Sequence, residues 1–200
     1  MTAAPEMLHD ERLTFEEFAA LTLEYPADLV EGKIVEMPRN NPTHAEVVNE
    51  LGFHLRNFVR PKKLGKVYAG DVAVITKRDP DSGRGADLAF ASHERLKSQP
   101  ANAAALEIAP ELVIEVISPS NSWDHVMEKL AEYLAIGVRE VWIITPKSRT
   151  AQVYRAMEDI TGYSEAEKPI IEPNGFLEGF QLNLREVFEG IGGFPHNECK

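Results

Sequence analysis

The sequence predicts an α/β fold, a mixed central sheet flanked by helices, with an N-terminal helix and hairpin and a C-terminal extension. Three observations predict it. Leu112 to Ile117 is an apolar run between prolines, broken only by Glu115, which reads as a strand buried on both faces. A helical pattern from Trp123 to about Ile136 and a second strand, Glu140 to Thr145, follow at the spacing of a right-handed crossover, so the two strands are expected to be parallel. Upstream, Val47, Val48, Leu51, Leu55, Phe58 and Val59 form an apolar stripe at helical spacing.

The elements follow in order. Residues 1 to 10 are expected to be loose. Thr14 caps a short helix, with Glu17 at the capping-box position. Leu29 to Met37 reads as a hairpin pivoting on Gly32-Lys33. Thr43 is expected to cap the striped helix, which runs to about Val59, with His44 facing inward and Glu46 outward. Gly65 to Thr76 alternates as a strand, Lys77 to Gly85 reads as a polar turn, and Ala86 to Phe90 as a second short strand opened by Asp87. His93 to Pro110 is polar and alanine-rich, a loop or weak helix. Ser118 to Ser122 stops the central strand and caps the next helix, which Gly137 ends. Gln152 to Arg155 adds a hairpin strand, and a short helix lies near Leu184 to Phe188.

Composition narrows the function. The 200 residues suit one domain, with a core at about 43–146, the N-terminal hairpin at 14–42 and the extension at 147–200. The chain is 44% hydrophobic and 26% charged, ordinary for a soluble globular protein. A net charge of −11 argues against non-specific nucleic-acid binding, but not against a local basic groove. Arg56, Arg60, Lys62, Lys63 and Lys66 cluster after the striped helix, either as a solvated face or as a phosphate-tracking patch. Cys199, the single cysteine, sits in a tail expected to fray, so no disulfide framework and no thiol enzyme is expected. That usage suits the cytoplasm. No apolar run approaches membrane-spanning length, and no signal peptide is evident. Cys and His clusters for zinc, a P-loop and a G-x-G-x-x-G are all missing.

Glu115 carries the functional argument. A charge in a central strand needs a compensating cation, either a lysine or arginine or a metal ion. Asp87 begins the neighbouring apolar strand, and Lys129 sits at the edge of the buried stripe of the following helix, stacked with His125 and Tyr133. Two carboxylates converging with a lysine form a hard-cation site, and oxygen ligands suit Mg2+ or Mn2+. That constellation fits metal-assisted phosphodiester hydrolysis. The alternatives stay open: Asp87 as a turn acid, and Lys129 as an exposed lysine or simply the ion partner of Glu115. By residue type Glu31 reads as a hairpin-turn acid before Gly32, and the alternative for His44 is a satisfied structural histidine.

The order helix, strand, strand with Asp, strand with Glu, helix, strand resembles the PD-(D/E)xK nuclease core, the restriction-endonuclease-like fold. More narrowly, the chain resembles the Uma family of putative restriction endonucleases from about residue 14 to 190. Leu29 to Val35, Thr43-His44, Ala86-Asp87-Leu88, Pro110 to Ser120, Lys129 with Tyr133, Gly137 to Trp142, and Gly179 to Phe188 carry the likeness. Glu115 to Trp142 is its specific part. The resemblance implies that Asp87 and Glu115 are metal ligands, that Lys129 is the catalytic lysine moved from strand to helix, and that Glu31 is an additional acid lining the site. Ala86 stands where the family usually has proline, and Ile117 where the motif has lysine. The implied activity is a Mg2+- or Mn2+-dependent DNA endonuclease, a homodimer so that two sites address two strands. The competing reading is a non-catalytic nuclease-fold scaffold that binds protein or nucleic acid.

Overall fold

The computed structural model describes residues 12–118 and 121–191. The expected loose start, the Pro119-Ser120 part of the expected strand stop, and Cys199 lie outside them. Helix α1 (Phe15–Ala19) precedes the hairpin of β1 (Ala27–Val30) and β2 (Lys33–Glu36), and the long helix α2 (Pro42–Val59) follows. Next come β3 (Gly65–Lys77), β4 (Ser82–Ser92), α3 (His93–Leu96), β5 (Leu112–Val116), α4 (Trp123–Ala135) and β6 (Glu140–Thr145). The chain continues through β7 (Thr150–Tyr154), β8 (Ile160–Ser164), β9 (Ile170–Ile171), β10 (Leu182–Asn183) and α5 (Leu184–Val187).

One mixed sheet runs β2-β1-β4-β5-β6-β7-β8, with β3 paired to β4. β5 lies inside it, parallel to β6 as the crossover requires and antiparallel to β4. Side chains alternate across a strand, and the sheet's two faces sort accordingly. Leu112, Ile114 and Val116 pack on Val47, Leu51 and Leu55 of α2. Val113 packs with Val126, Leu130 and Tyr133 of α4. Glu115 has the same parity as Val113, so it looks toward α4. Among the described residues no helix is long and apolar enough to cross a membrane.

Three local expectations are corrected. Asn41, not Thr43, caps α2; its side chain accepts from the His44 N–H at 2.9 Å. Pro42 fills the first helical position, where a missing N–H costs nothing. The hairpin turns on Glu31-Gly32 rather than Gly32-Lys33, because Val30 pairs with Lys33. Both turn residues have positive φ, 49° and 77°, as a two-residue primed turn demands. Finally, β4 is twice the expected strand. It starts at Ser82 because β3 pairs with it throughout, leaving only Arg78 to Asp81 as the turn.

The glycines that disguised the start of β4 have a steric reason. A methyl at Gly83 would overlap the ring of buried Phe15, and one at Gly85 would overlap the Asp71 carboxylate. The Phe15 ring sits in a small core with Leu29 and Ile75 and has little room to move. Gly83→Ala is therefore expected to cost about 1–3 kcal/mol, lowering Tm by about 2–4 °C for each kcal/mol in a chain of this size. Thermal unfolding followed by circular dichroism checks this, and an unchanged Tm would refute the overlap.

Candidate active site

β4 and β5 form a fork. Their pairing holds at Leu88 with Ile114 and goes no further toward Asp87 and Glu115. Asp87 bridges the opening: its Oδ2 accepts the Val116 N–H at 2.8 Å, taking the place of a ladder carbonyl. The same oxygen is 3.0 Å from His44 Nε2, which the Asn41 cap sets in the first turn of α2. Among the described residues Oδ1 takes no hydrogen bond.

Glu115 meets α4 on the other side of the fork. Tyr133 donates its hydroxyl to Oε1 at 3.0 Å. Lys129 Nζ is 3.3 Å from Oε1 and 3.4 Å from Oε2, and it also donates to the Gly85 carbonyl. The four-residue spacing puts Lys129 and Tyr133 on one helix face. Lys129 is 7% exposed, so its ammonium belongs to the protein interior rather than to a solvated surface.

His44, Asp87, Glu115 and Lys129 line one cavity of about 260 Å³, together with Asp28, Asp71 and His125. Its electrostatics are those of acids short of cations. Burial pushes the Glu115 carboxyl up to about 8, and Asp87 adds to the rise against the pull of Lys129 and Tyr133. Burial alone would lower the Lys129 pKa, but Glu115, Asp28, Asp87 and Asp71 together raise it, so the lysine is charged. Burial also lifts the Tyr133 hydroxyl well above the usual range, so it remains a donor. Among the described residues four acids therefore face one lysine in the cavity.

Glu31 is not among the lining residues, which corrects the expectation that it lines the site. As a turn residue it is exposed, and it pairs with Lys77 at 2.8 Å. Asp28, three residues earlier, takes the inward position and is 2% exposed. Its Oδ1 accepts the Gly85 N–H at 2.9 Å. Burial opposes its charge, but His125, Lys129, the Gly85 N–H and Arg84 hold its carboxyl below the usual range. Its Oδ2 lies 3.7 Å from both Arg84 Nη1 and His125 Nε2, beyond hydrogen-bond reach, and among the described residues these three buried atoms have no hydrogen-bond partner. The three atoms thus stand around a gap. Arg84, 1% exposed, rests its Nε and Nη2 on Glu132, which also accepts the Thr76 hydroxyl at 2.6 Å. Sequence reasoning missed Asp28 and Arg84. No local signal turns Asp28 inward; its burial follows from the pairing of Leu29 in β1 with Gly83 in β4.

The donor set fits a hard cation. Asp87 and Glu115 offer carboxylate oxygens at one cavity, and a free Asp87 Oδ1 is available to it. No three His, Cys, Asp or Glu side chains among the described residues form a ready-made cage. Magnesium commonly takes only one or two carboxylates and completes its shell with water, so two acids suffice in kind.

Comparison with known proteins agrees with this architecture. The family model Uma2, described as "Putative restriction endonuclease", matches residues 15–185. The structure is similar to the crystal structure of "a putative nuclease belonging to DUF820" from Anabaena variabilis, with a TM-score of 0.76 and 22% identity, covering 90% of this chain and 99% of that one. At that identity the likeness shows the fold. No curated protein matches the chain.

Proposed function

Because the chain belongs to the Uma2 family of putative restriction endonucleases, we propose that it is a divalent-metal-dependent endonuclease that hydrolyses phosphodiester bonds in DNA. The observation that carries this reading is the meeting of Asp87, Glu115 and Lys129, from two strands and a helix, on one cavity. Asp87 and Glu115 are the residues that would hold Mg2+ or Mn2+. When bound, such an ion polarises a phosphoryl oxygen and makes hydroxide accessible near neutral pH.

The chain's own groups have separable tasks. His44 and the Val116 N–H hold one oxygen of Asp87 and leave the other for the cavity. Tyr133 fixes the Glu115 carboxylate. Lys129 is charged, so it is no general base. Its ammonium, held by Glu115 and the Gly85 carbonyl, orients water and offsets negative charge developing on phosphorus. A homodimer would present two such cavities to two strands.

Supercoiled plasmid with magnesium or manganese tests the reading. The wild type is expected to nick it and Asp87→Asn is not. No nicking by the wild type, or equal nicking by the variant, defeats the proposal. One observation favours a second reading: Glu115 and Lys129 can neutralise each other as a buried ion pair in a non-catalytic scaffold. Manganese titration by calorimetry separates the two, since the scaffold binds no ion.

A further inference from the structure

Charge is segregated along α2. Its acids, Glu46 and Glu50, lie in the first half. Arg56 and Arg60 end the helix, and Lys62, Lys63 and Lys66 follow in the turn and the start of β3. All five cations are exposed. Among the described residues none has a carboxylate within ion-pair distance, and Lys62 only covers the Phe58 ring. Elsewhere Arg78, Arg84, Arg95, Arg149 and Arg155 each rest on a carboxylate, while Arg39, Arg139 and Arg185 reach only backbone carbonyls and stand apart from one another in the chain. In a protein of net charge −11, five neighbouring cations left without acids are a surface with its counter-charge still to come.

The surface has shape as well as charge. The outer face of α2 and β3, an edge strand, enclose a recess of about 380 Å³ that holds Asn49, Phe53, Arg56, Asn57 and Arg60. A second recess of about 230 Å³, with Arg56, Arg60 and Lys66, continues it. Phe53 is 59% exposed in the first recess, and the two asparagine amides add neutral donors. The groove reaches Ala69, two residues from Asp71 at the cavity. From His44 to Arg60 the helix rises roughly 24 Å at 1.5 Å per residue. That is about seven nucleotide steps at roughly 3.4 Å per step.

We propose that this groove is the track for the phosphate backbone of the nucleic acid on one side of the cavity, with Arg56, Arg60 and Lys66 as its phosphate contacts. The inference rests on the nuclease reading of the cavity for its direction, but binding without metal tests it independently. Basic residues at a helix end also favour the helix dipole, so the test must separate binding from folding.

The experiment is fluorescence anisotropy of the full chain with a labelled 20-bp duplex, and with a single strand of equal length, in EDTA from roughly 50 to 200 mM salt. The triple variant Arg56→Gln, Arg60→Gln, Lys66→Gln is compared with the wild type. On at least one of the two probes, its Kd is expected to rise at least about tenfold and its log–log salt slope to shrink by about 2–3, near 0.9 for each lost contact. The arm that responds identifies the strand form. Unchanged binding in both arms with a lowered Tm assigns the cations to the helix dipole and overturns the track. Failure of the wild type to bind either probe overturns it too. Binding lost in the triple variant while the wild type never nicks plasmid leaves the track standing and sinks the nuclease reading. Nicking lost in Asp87→Asn, with binding untouched by the triple variant, does the reverse.

Discussion

Glu115→Gln is expected to abolish manganese binding and plasmid cleavage while making the metal-free protein more resistant to heat at neutral and alkaline pH. The two effects share one cause. Glu115 is buried beside Asp87, and burial pushes its carboxyl up to about 8. Its folded pKa thus lies above the ordinary glutamate value of 4.5. The native state then binds its proton more tightly than the unfolded chain, so stability falls as pH rises through the window from about 4.5 to about 8. Glutamine keeps the shape, still pairs with the Tyr133 hydroxyl and has no proton to lose. The variant's stability should be flatter across that window, with a Tm several degrees above wild type by its upper end. Cleavage should fall by on the order of 10²–10³-fold or more, as when one group that stabilises developing charge is removed. Added manganese should raise the Tm of the wild type and not that of the variant. Thermal unfolding at pH 5, 7 and 8.5, with and without metal, reads all of this. A variant less stable than wild type at pH 8.5 would show that the Lys129 pair outweighs the burial cost, as the scaffold reading requires.

What the sequence disclosed and what it hid divide along a physical line. The apolar run Leu112 to Ile117 announced a central strand, because a β-branched run that short between prolines suits a strand buried on both faces better than a helix. The crossover rule made β5 and β6 parallel. The family resemblance named Asp87, Glu115 and Lys129, and the structure brings all three to one cavity with His44. Local signals also served α1, whose capping box is present as expected. Hidden were features set by pairing between distant segments. Asp28 and Arg84 come together because Leu29 of β1 pairs with Gly83 of β4, a register that neither segment announces. Glu31 was placed in the site by the family resemblance alone; its residue type read as a hairpin-turn acid, and the structure makes it one, exposed and paired with Lys77. Helix α4's His125 stood in plain view one turn before Lys129, but its role depends on Asp28. Strands β8 to β10 were missed, since their short polar-interrupted runs lack a period of their own.

Arg84→Met is expected to destabilise the fold by about 3 kcal/mol or more, a Tm drop of roughly 6–12 °C. The guanidinium is 1% exposed and holds Glu132 through two nitrogens while a third faces Asp28 at 3.7 Å. Removing it leaves Asp28, 2% exposed, with one fewer opposing charge, and strands Glu132 over an apolar side chain. Glu132 is partly open to water at 28% side-chain exposure, which keeps the loss at the lower end of the range for broken buried pairs. Arg84→Lys should recover only part, because an ammonium cannot match both carboxylate oxygens of Glu132 at once. The double variant Arg84→Met, Glu132→Met should recover more, since it removes both charges instead of orphaning one. Urea unfolding of the three variants ranks them, and a double variant no more stable than Arg84→Met would refute the orphaned-charge account. The effect should also reach the cavity. Asp28 and Lys129 both hold the backbone of Gly85: one accepts its N–H and the other donates to its carbonyl. Loosening Asp28 therefore loosens the seat of the lysine, and Arg84→Met should cut plasmid nicking even at temperatures where the chain is fully folded.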